Sequence, residues 1–402
     1  MYSYAVATPS DDAALRRARR LLERHPLIDG HNDLAWAIRN DPQAPGGVEA
    51  YDLRKRTPGD TDLARLREGR VGGQFWSVYV PGDARDEGFA RLQLEQIDIA
   101  RRVIARYPDR LQLCLDSAGV VAAFRRRRIG SLLGMEGGHA IENSLGALRA
   151  FYELGARYMT LTHNVTHDWA DAAVDAPRHG GLTRFGEAVV REMNRLGMLV
   201  DLAHVSPAVM AHVLRISAAP VIFSHSSCRA LTDVPRNVPD EIMACLRVNG
   251  GVLMITFVGP FVSQEVATAY AAGMVEVKRR TQGVTDRRER RRLEREYFTA
   301  HPLPRATIAQ VADHVEHARR VAGVNHIGIG GDYDGNEEWP VGLEDVSTYP
   351  RLFAELIRRG WRDGDLVKLA GGNFLRVFRR TEAVARRLRR TRAPSTATVD
   401  ST

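Results

Sequence analysis

Eight short apolar runs, separated by amphipathic stretches rich in arginine and alanine, constrain this sequence more than any other feature. They are PLIDGH (26–31), QFWSVYV (74–80), SLLGME (131–136), YMTLTH (158–163), MLVDLAH (198–204), PVIFSH (220–225), GVLMITF (251–257) and HIGIGGD (326–332). Apolar runs of this length alternating with helical patterning read as repeated strand–helix units on a parallel sheet. Eight of them predict a (β/α)8 TIM barrel, whose catalytic groups stand where the strands end. At 402 residues the length alone leaves one large domain or two open. The strand count points to a single barrel domain over 1–385, followed by a polar, low-complexity tail over 386–402 expected to be disordered.

Six of the eight runs finish on a group able to bind a metal or move a proton: His31, Glu136, His163, His204, His225 and Asp332. One histidine at a strand end is usually a satisfied structural residue, but six polar groups on one rim are hard to explain by packing. In LIDGHNDLAW, the two-residue period of a strand sends His31 and Asp33 to the same side. The competing reading is a polar strand exit with Asp33 capping a helix. Imidazole and carboxylate ligands suit zinc or a similar divalent ion. His31 with Asp33 offers one pair and His204 with His225, from adjacent strands, another. Two ions about 3.5–4 Å apart need a bridging carboxylate, and Glu136 in GMEGGH stands at an intermediate strand end, with two glycines behind it leaving room for close approach. Some barrel hydrolases use a carbamylated lysine instead, but Lys55, Lys278 and Lys368 all lie away from the strand ends. A hydroxide shared by two ions would be the nucleophile at neutral pH, with Asp332 passing its proton to the leaving group.

Composition narrows the function classes. The net charge of +8 comes almost wholly from arginines scattered along helices, without an aromatic-rich basic stripe, so a nucleic-acid partner is not expected. Cys114, Cys228 and Cys245 have no C-x-x-C spacing, which indicates neither a disulfide framework nor a thiolate zinc site and fits a reducing compartment. No apolar run is long enough to span a bilayer, the N-terminal stretch lacks a signal-peptide pattern, and the C-terminal stretch lacks a lipid-anchor pattern. A cytoplasmic protein without a membrane anchor is the expectation. Residues 263–303 are longer than a barrel crossover needs. They read as two helices broken near Gly283, opening on the active face either as a lid or as a solvated excursion. LVKLAGGNFLRVFRRTEAVARRL reads as a Gly-Gly-Asn break followed by an amphipathic helix that closes the structure.

The motifs IDGHND, EGGHAIENSLGALR, YMTLTHN with WAD behind it, VDLAHVS, FSHSSCRAL, RNVPDEI and IGIGGDYDG resemble, in order, those of the membrane dipeptidase (renal dipeptidase) family of zinc peptidases, over residues 20–380. The resemblance implies an amidohydrolase-type barrel with two zinc ions per chain, acting on dipeptides of L,L and L,D configuration. It implies His31 and Asp33 as ligands of the first zinc, His204 and His225 of the second, and Glu136 as the bridge. His163 would contact the substrate and polarise the scissile region, Arg236 would bind its terminal carboxylate, and Asp332 would transfer the proton. A fixed donor such as His163 suits a developing oxyanion, and the guanidinium fork of Arg236 suits a carboxylate. Asn237 and Asp334 fit the motifs as turn and supporting residues. A homodimer is the family-level expectation. The alternatives are a barrel amidohydrolase acting on N-acyl amino acids or cyclic amides, and a binding protein that keeps the barrel without turnover.

Overall fold

A computed structural model describes residues 13–399; the N-terminal stretch read for targeting signals lies largely outside them. Eight strands form the barrel: β1 Leu27–Asn32, β2 Val71–Tyr79, β3 Ile129–Glu136, β4 Ala156–Thr160, β5 Leu199–Asp201, β6 Ile222–Ser226, β7 Val252–Ile255 and β8 Ile327–Ile329. Each is parallel to its neighbours in chain order, β8 pairs with β1, and Asp29 lies opposite Ile329 at that closure. An additional short strand, Leu111–Leu113, flanks β3 outside the barrel. Its apolar signal is too short to stand out in the sequence.

The strands are buried on both faces, which is why they read as continuous apolar runs rather than alternating ones. Inward, Ile28, Phe75, Leu132, Tyr158, Leu199, Ile222 and Met254 form one cluster with Phe374 and Phe378 of the last long helix. That helix, Asn373–Thr391, follows a short π-helical turn at Lys368–Gly372. The expected Gly-Gly-Asn break is thus a local change of helical winding. A Cβ on Gly371 would sit 2.5 Å from the Pro26 carbonyl at the foot of β1, so the small residue lets this turn seal the lower end. The helix runs past the boundary read at 385 as far as Thr391, and beyond it Ser395 contacts Glu192 and Arg149.

The insertion folds as two helices, α1 Gln264–Arg280 and α2 Arg287–Ala300, with the chain turning at Gly283, whose φ is +82°. Asp286 caps α2 by accepting from the Glu289 amide. None of α2's residues is fully buried.

Candidate metal centre

Strand register sets the height of the first groups. Tyr79 of β2 lies opposite Glu136 of β3, and Glu136 opposite Thr160 of β4, so the Glu136 carboxylate emerges at the rim. The pairing of β1 with β2 is irregular between Asp29 and Asn32. Asp29 is buried and fixes that end: its carboxylate accepts from the amides of His31 and Gly331, from Gln74 and from the Tyr349 hydroxyl. It thereby ties the chain carrying His31 to the loop carrying Asp332.

The H-x-D reading holds in space. His31 Nε2 lies 3.1 Å from Asp33 Oδ2, and both residues are buried. Asp33 occupies the position before the Leu34–Arg39 helix but makes no side-chain cap; Asn32 Oδ1 accepts from the Leu34 amide instead. The capping role therefore belongs to Asn32. Asp33 Oδ1 is left as a buried oxygen without a partner.

Glu136 divides its two oxygens. Oε2 accepts from Ser77 at 3.1 Å and faces His31 Nε2 at 3.4 Å. Oε1 faces His204 Nε2 at 3.0 Å, His225 Nε2 at 3.5 Å and His163 Nε2 at 3.9 Å. Burial opposes the charge, yet the charge of His31 beside it holds this carboxyl well below its ordinary range. The glycines after it serve neighbours rather than the centre: Gly137 adopts φ +115° beside the His139 ring, and Gly138 lies against Trp169 and the Leu161 carbonyl.

Three of the groups stand beyond the regular strands. β4 ends at Thr160, β5 at Asp201 and β8 at Ile329, before His163, His204 and Asp332. His204 and Asp332 adopt φ of +66° and +70°. Such left-handed conformations are uncommon outside glycine and cluster at functional sites. Here they turn two side chains in toward the rim. Asp332 Oδ1 comes within 3.9 Å of His31 Nε2, and burial, with the charges of Asp33 and Glu136, pushes its carboxyl well above the usual range. Arg236 is buried and, among the described residues, bonded only to the Ser226 hydroxyl and the His225 carbonyl at 3.5 and 3.3 Å, with its Nε unpartnered. Burial pushes it down to about 10, so it keeps its charge at neutral pH. His163 is pushed down to about 4 by burial and is neutral.

Seven of the eight residues read from the sequence fall into three overlapping groups: His31, Glu136 and His225; Glu136, His163 and His204; His31, Asp33 and Asp332. The eighth, Arg236, stands beside them through its bond to the His225 carbonyl. The hydrogen bonds show what these groups require. His204 Nδ1 meets Asn164 Oδ1 at 2.9 Å, and His225 Nδ1 meets Ser224 Oγ at 2.8 Å, while that hydroxyl donates to Asp201 at 2.6 Å. Both Nδ1 atoms are then donors, which leaves the two Nε2 lone pairs facing each other at 2.9 Å beside Glu136 Oε1. Burial holds both imidazoles well below the ordinary histidine range, hence neutral. Three lone pairs aimed into one small space are satisfied by a cation, and the bonds to Asn164 and Ser224 are the outer contacts that fix metal-binding imidazoles. Tyr158 does the same for His31, with its hydroxyl 2.8 Å from Nδ1. The Tyr158 ring occupies the space a Cβ on Gly134 would take, only 2.0 Å away.

The sequence reading passed over Tyr158, Asn164, Asp201, Ser224 and Ser77. Their signal was present: each is a polar residue in or just after an apolar run, and a buried polar group must have a partner. Asn237 and Asp334 take the supporting places expected of them. Asn237 donates to the Thr232 and Phe261 carbonyls, and Asp334 accepts from the Asp60 amide.

A closed parallel barrel with imidazoles and carboxylates gathered at the carboxyl ends of its strands defines a metal-dependent barrel enzyme. The family described as membrane dipeptidase (peptidase family M19) matches residues 15–392. Dipeptidase 3 of Mus musculus is 42% identical over 380 residues, covering 93% of this chain and 68% of its own. Dipeptidase verJ of Clonostachys rogersoniana is 42% identical over 392 residues, 94% of this chain and 90% of its own. Among solved structures, the probable dipeptidase PvdM from Pseudomonas aeruginosa superposes with a TM-score of 0.81 at 22% identity, over 94% of this chain and 100% of that one. A metallopeptidase from Rhodobacter sphaeroides, liganded with a phosphinate mimic of L-Ala-D-Ala, gives 0.73 at 24% identity, over 89% and 99%. This chain belongs to the membrane dipeptidase family, M19; it is a metallopeptidase, a hydrolase of the dipeptidase type. No helix among the described residues is long and apolar enough to cross a membrane.

Proposed function

We propose that this protein is a binuclear zinc dipeptidase that hydrolyses the amide bond of L,L and L,D dipeptides. The observation that carries the reading is the divided Glu136 carboxylate, one oxygen toward His31 and the other toward His204 and His225. His31 and Asp33 would hold one ion, His204 and His225 the other, and Glu136 both. Ions bound there would polarise the scissile carbonyl and lower the pKa of water to about 7, making it a nucleophile at neutral pH.

The remaining steps fall to the chain's own side chains. Arg236 is a buried cation with no carboxylate within ion-pairing distance among the described residues, and it receives the substrate's terminal carboxylate. His163, neutral and held between Tyr79 and His204, donates toward the carbonyl oxygen as it gains charge. Asp332 as the carboxylate, made more basic by burial, takes the proton from the attacking water and, now protonated, returns it to the leaving amine. The three cysteines are free thiols, which accords with the cytoplasmic location proposed for the chain.

The test is zinc-loaded enzyme against a panel of L,L and L,D dipeptides and their N-acetylated counterparts, with released amino acids and bound zinc both measured. Two zinc ions per chain and release from the free dipeptides only are expected. Full activity with one ion would overturn the binuclear centre. Preference for the blocked peptides would favour an amidohydrolase of N-acyl amino acids.

A further inference from the structure

The helix α2 is tied down on two sides, to the segments that follow β2 and β8. Arg287 pairs with Asp83 at 3.0 Å and with Glu87 at 2.8 Å, and Arg290 with Asp83 at 2.6 Å, all on the segment after β2. Arg295 pairs with Glu337, beyond β8, at 3.1 Å. Phe298 stacks on Tyr270 of α1 with ring centroids 5.4 Å apart.

Between these anchors Arg291 is half-buried, its guanidinium 5.0 Å from the centre of the Trp36 ring. Trp36 meets Tyr79 edge-on at 4.9 Å, and Tyr79 packs on His163 at 4.6 Å. A row of three rings thus connects Arg291 to the centre. The cleft beneath the start of α2 measures about 850 Å³ and is lined by Trp36, Arg39, Glu87, Glu95, Arg287 and Arg291, among others. Its other buried or half-buried cations are spoken for: Arg39 by Glu95 at 2.7 Å, and Arg287 by Asp83 and Glu87. Arg291 has no carboxylate within ion-pairing distance among the described residues.

We propose that Arg291 is a specificity-determining residue that receives a carboxylate on the side chain of the substrate's amino-terminal residue, selecting dipeptides that begin with glutamate or aspartate. The inference rests on the dipeptidase reading and adds a substrate class to it. Its orientation follows from the barrel. Arg236 stands after β6, and Trp36 and Tyr79 stand after β1 and at the end of β2, on the opposite side of an eight-stranded ring. A dipeptide with its terminal carboxylate on Arg236 and its amide at Glu136 directs its first side chain toward Trp36 and the underside of α2. A carboxylate arriving there gains a partly desolvated cation already held by stacking, while a lysine side chain meets like charge.

The test compares Glu-Ala, its neutral isostere Gln-Ala, and Lys-Ala on zinc-loaded wild type, Arg291→Gln and Arg291→Lys. Wild type is expected to favour Glu-Ala over Gln-Ala by about three- to fivefold in kcat/KM, the upper part of the range of one partly exposed ion pair, with Lys-Ala poorest. Arg291→Gln should bring the three within about twofold of one another, mainly by raising KM for Glu-Ala with kcat retained, and Arg291→Lys should restore part of the preference. The same ratios in wild type and Arg291→Gln would overturn the proposal. So would an equal loss on all three peptides at unchanged zinc content, which marks a structural role for the helix. Equal wild-type cleavage of all three peptides would overturn it and leave the dipeptidase reading standing. Cleavage of none of the three, nor of Ala-Ala, would remove that reading instead.

Discussion

Asp33 and Arg236 show how far residue chemistry carries at this rim and where it stops. Asp33 stands at a helix start, where aspartate ordinarily caps, yet its carboxylate turns to His31 Nε2 and the cap passes to Asn32. Arg236 is one of many arginines in the chain and is buried without an acid partner among the described residues. Arg157 is too, but its guanidinium donates to three backbone carbonyls, whereas the Arg236 Nε is unpartnered, which no local pattern announces. Two predictions belong at this scale. Asp332→Asn should keep its bound zinc yet lower kcat by at least ~100-fold, the usual loss when a positioned acid–base group is removed. Loss of zinc in step with activity would make Asp332 a ligand, as its grouping with His31 and Asp33 allows. Arg236→Ala should weaken kcat/KM for free dipeptides by about 2–5 kcal/mol, because one charge of a buried pair is left alone. It should do little to a dipeptide amide, which the wild type already handles poorly. Equal losses on acid and amide would make Arg236 a packing residue.

At the scale of elements, the eight runs found their strands, but the polar ends were not all parts of strands. β4, β5 and β8 each stop three residues before His163, His204 and Asp332, because backbone that bends inward can no longer pair with its neighbour. The insertion was legible as two helices with a turn at Gly283, since amphipathic spacing and a glycine are local signals. Where it lies was not legible: its anchors, Asp83, Glu87 and Glu337, come from distant loops. These pairs are exposed, worth about 0.2–1 kcal/mol each, so the helix is held lightly. Asp83→Asn, which removes the carboxylate partner of Arg290 and one of the two of Arg287, should shift the global melting midpoint by no more than about 2 °C. It should nevertheless raise amide exchange across residues 284–295, and added salt should reproduce the effect in the wild type. Exchange unchanged by either treatment would mean that packing, not charge, holds the helix.

For the whole molecule, the barrel's stability carries a pH signature set by buried histidines outside the metal centre. Burial pushes His167 and His314 down to about 4, while the unfolded chain titrates near 6.5. Between those values the unfolded chain binds more protons, so the stabilisation is complete above about pH 6.5 and is lost as the pH falls toward 4, by up to roughly 3 kcal/mol per group. His314 accepts from the Cys228 amide and faces the Val262 carbonyl. His314→Gln should therefore show a shallower fall in unfolding free energy between pH 6.5 and 4.5 than the wild type, measured by urea titration. Parallel curves would place the acid sensitivity elsewhere. The sequence by itself determined the parallel barrel, the eight rim residues and the two-helix insertion, because strand period, apolar run length and helix punctuation act over a few neighbouring residues. The motif order determined the family for the same reason, each motif being a local requirement of one strand end. Only the tertiary structure decided which oxygen of Glu136 meets which imidazole, that Tyr158, Asn164 and Ser224 orient the histidines, and that Arg291 reaches Trp36. Those contacts join residues tens to hundreds of positions apart, and only closure of the barrel brings them within hydrogen-bonding or stacking distance.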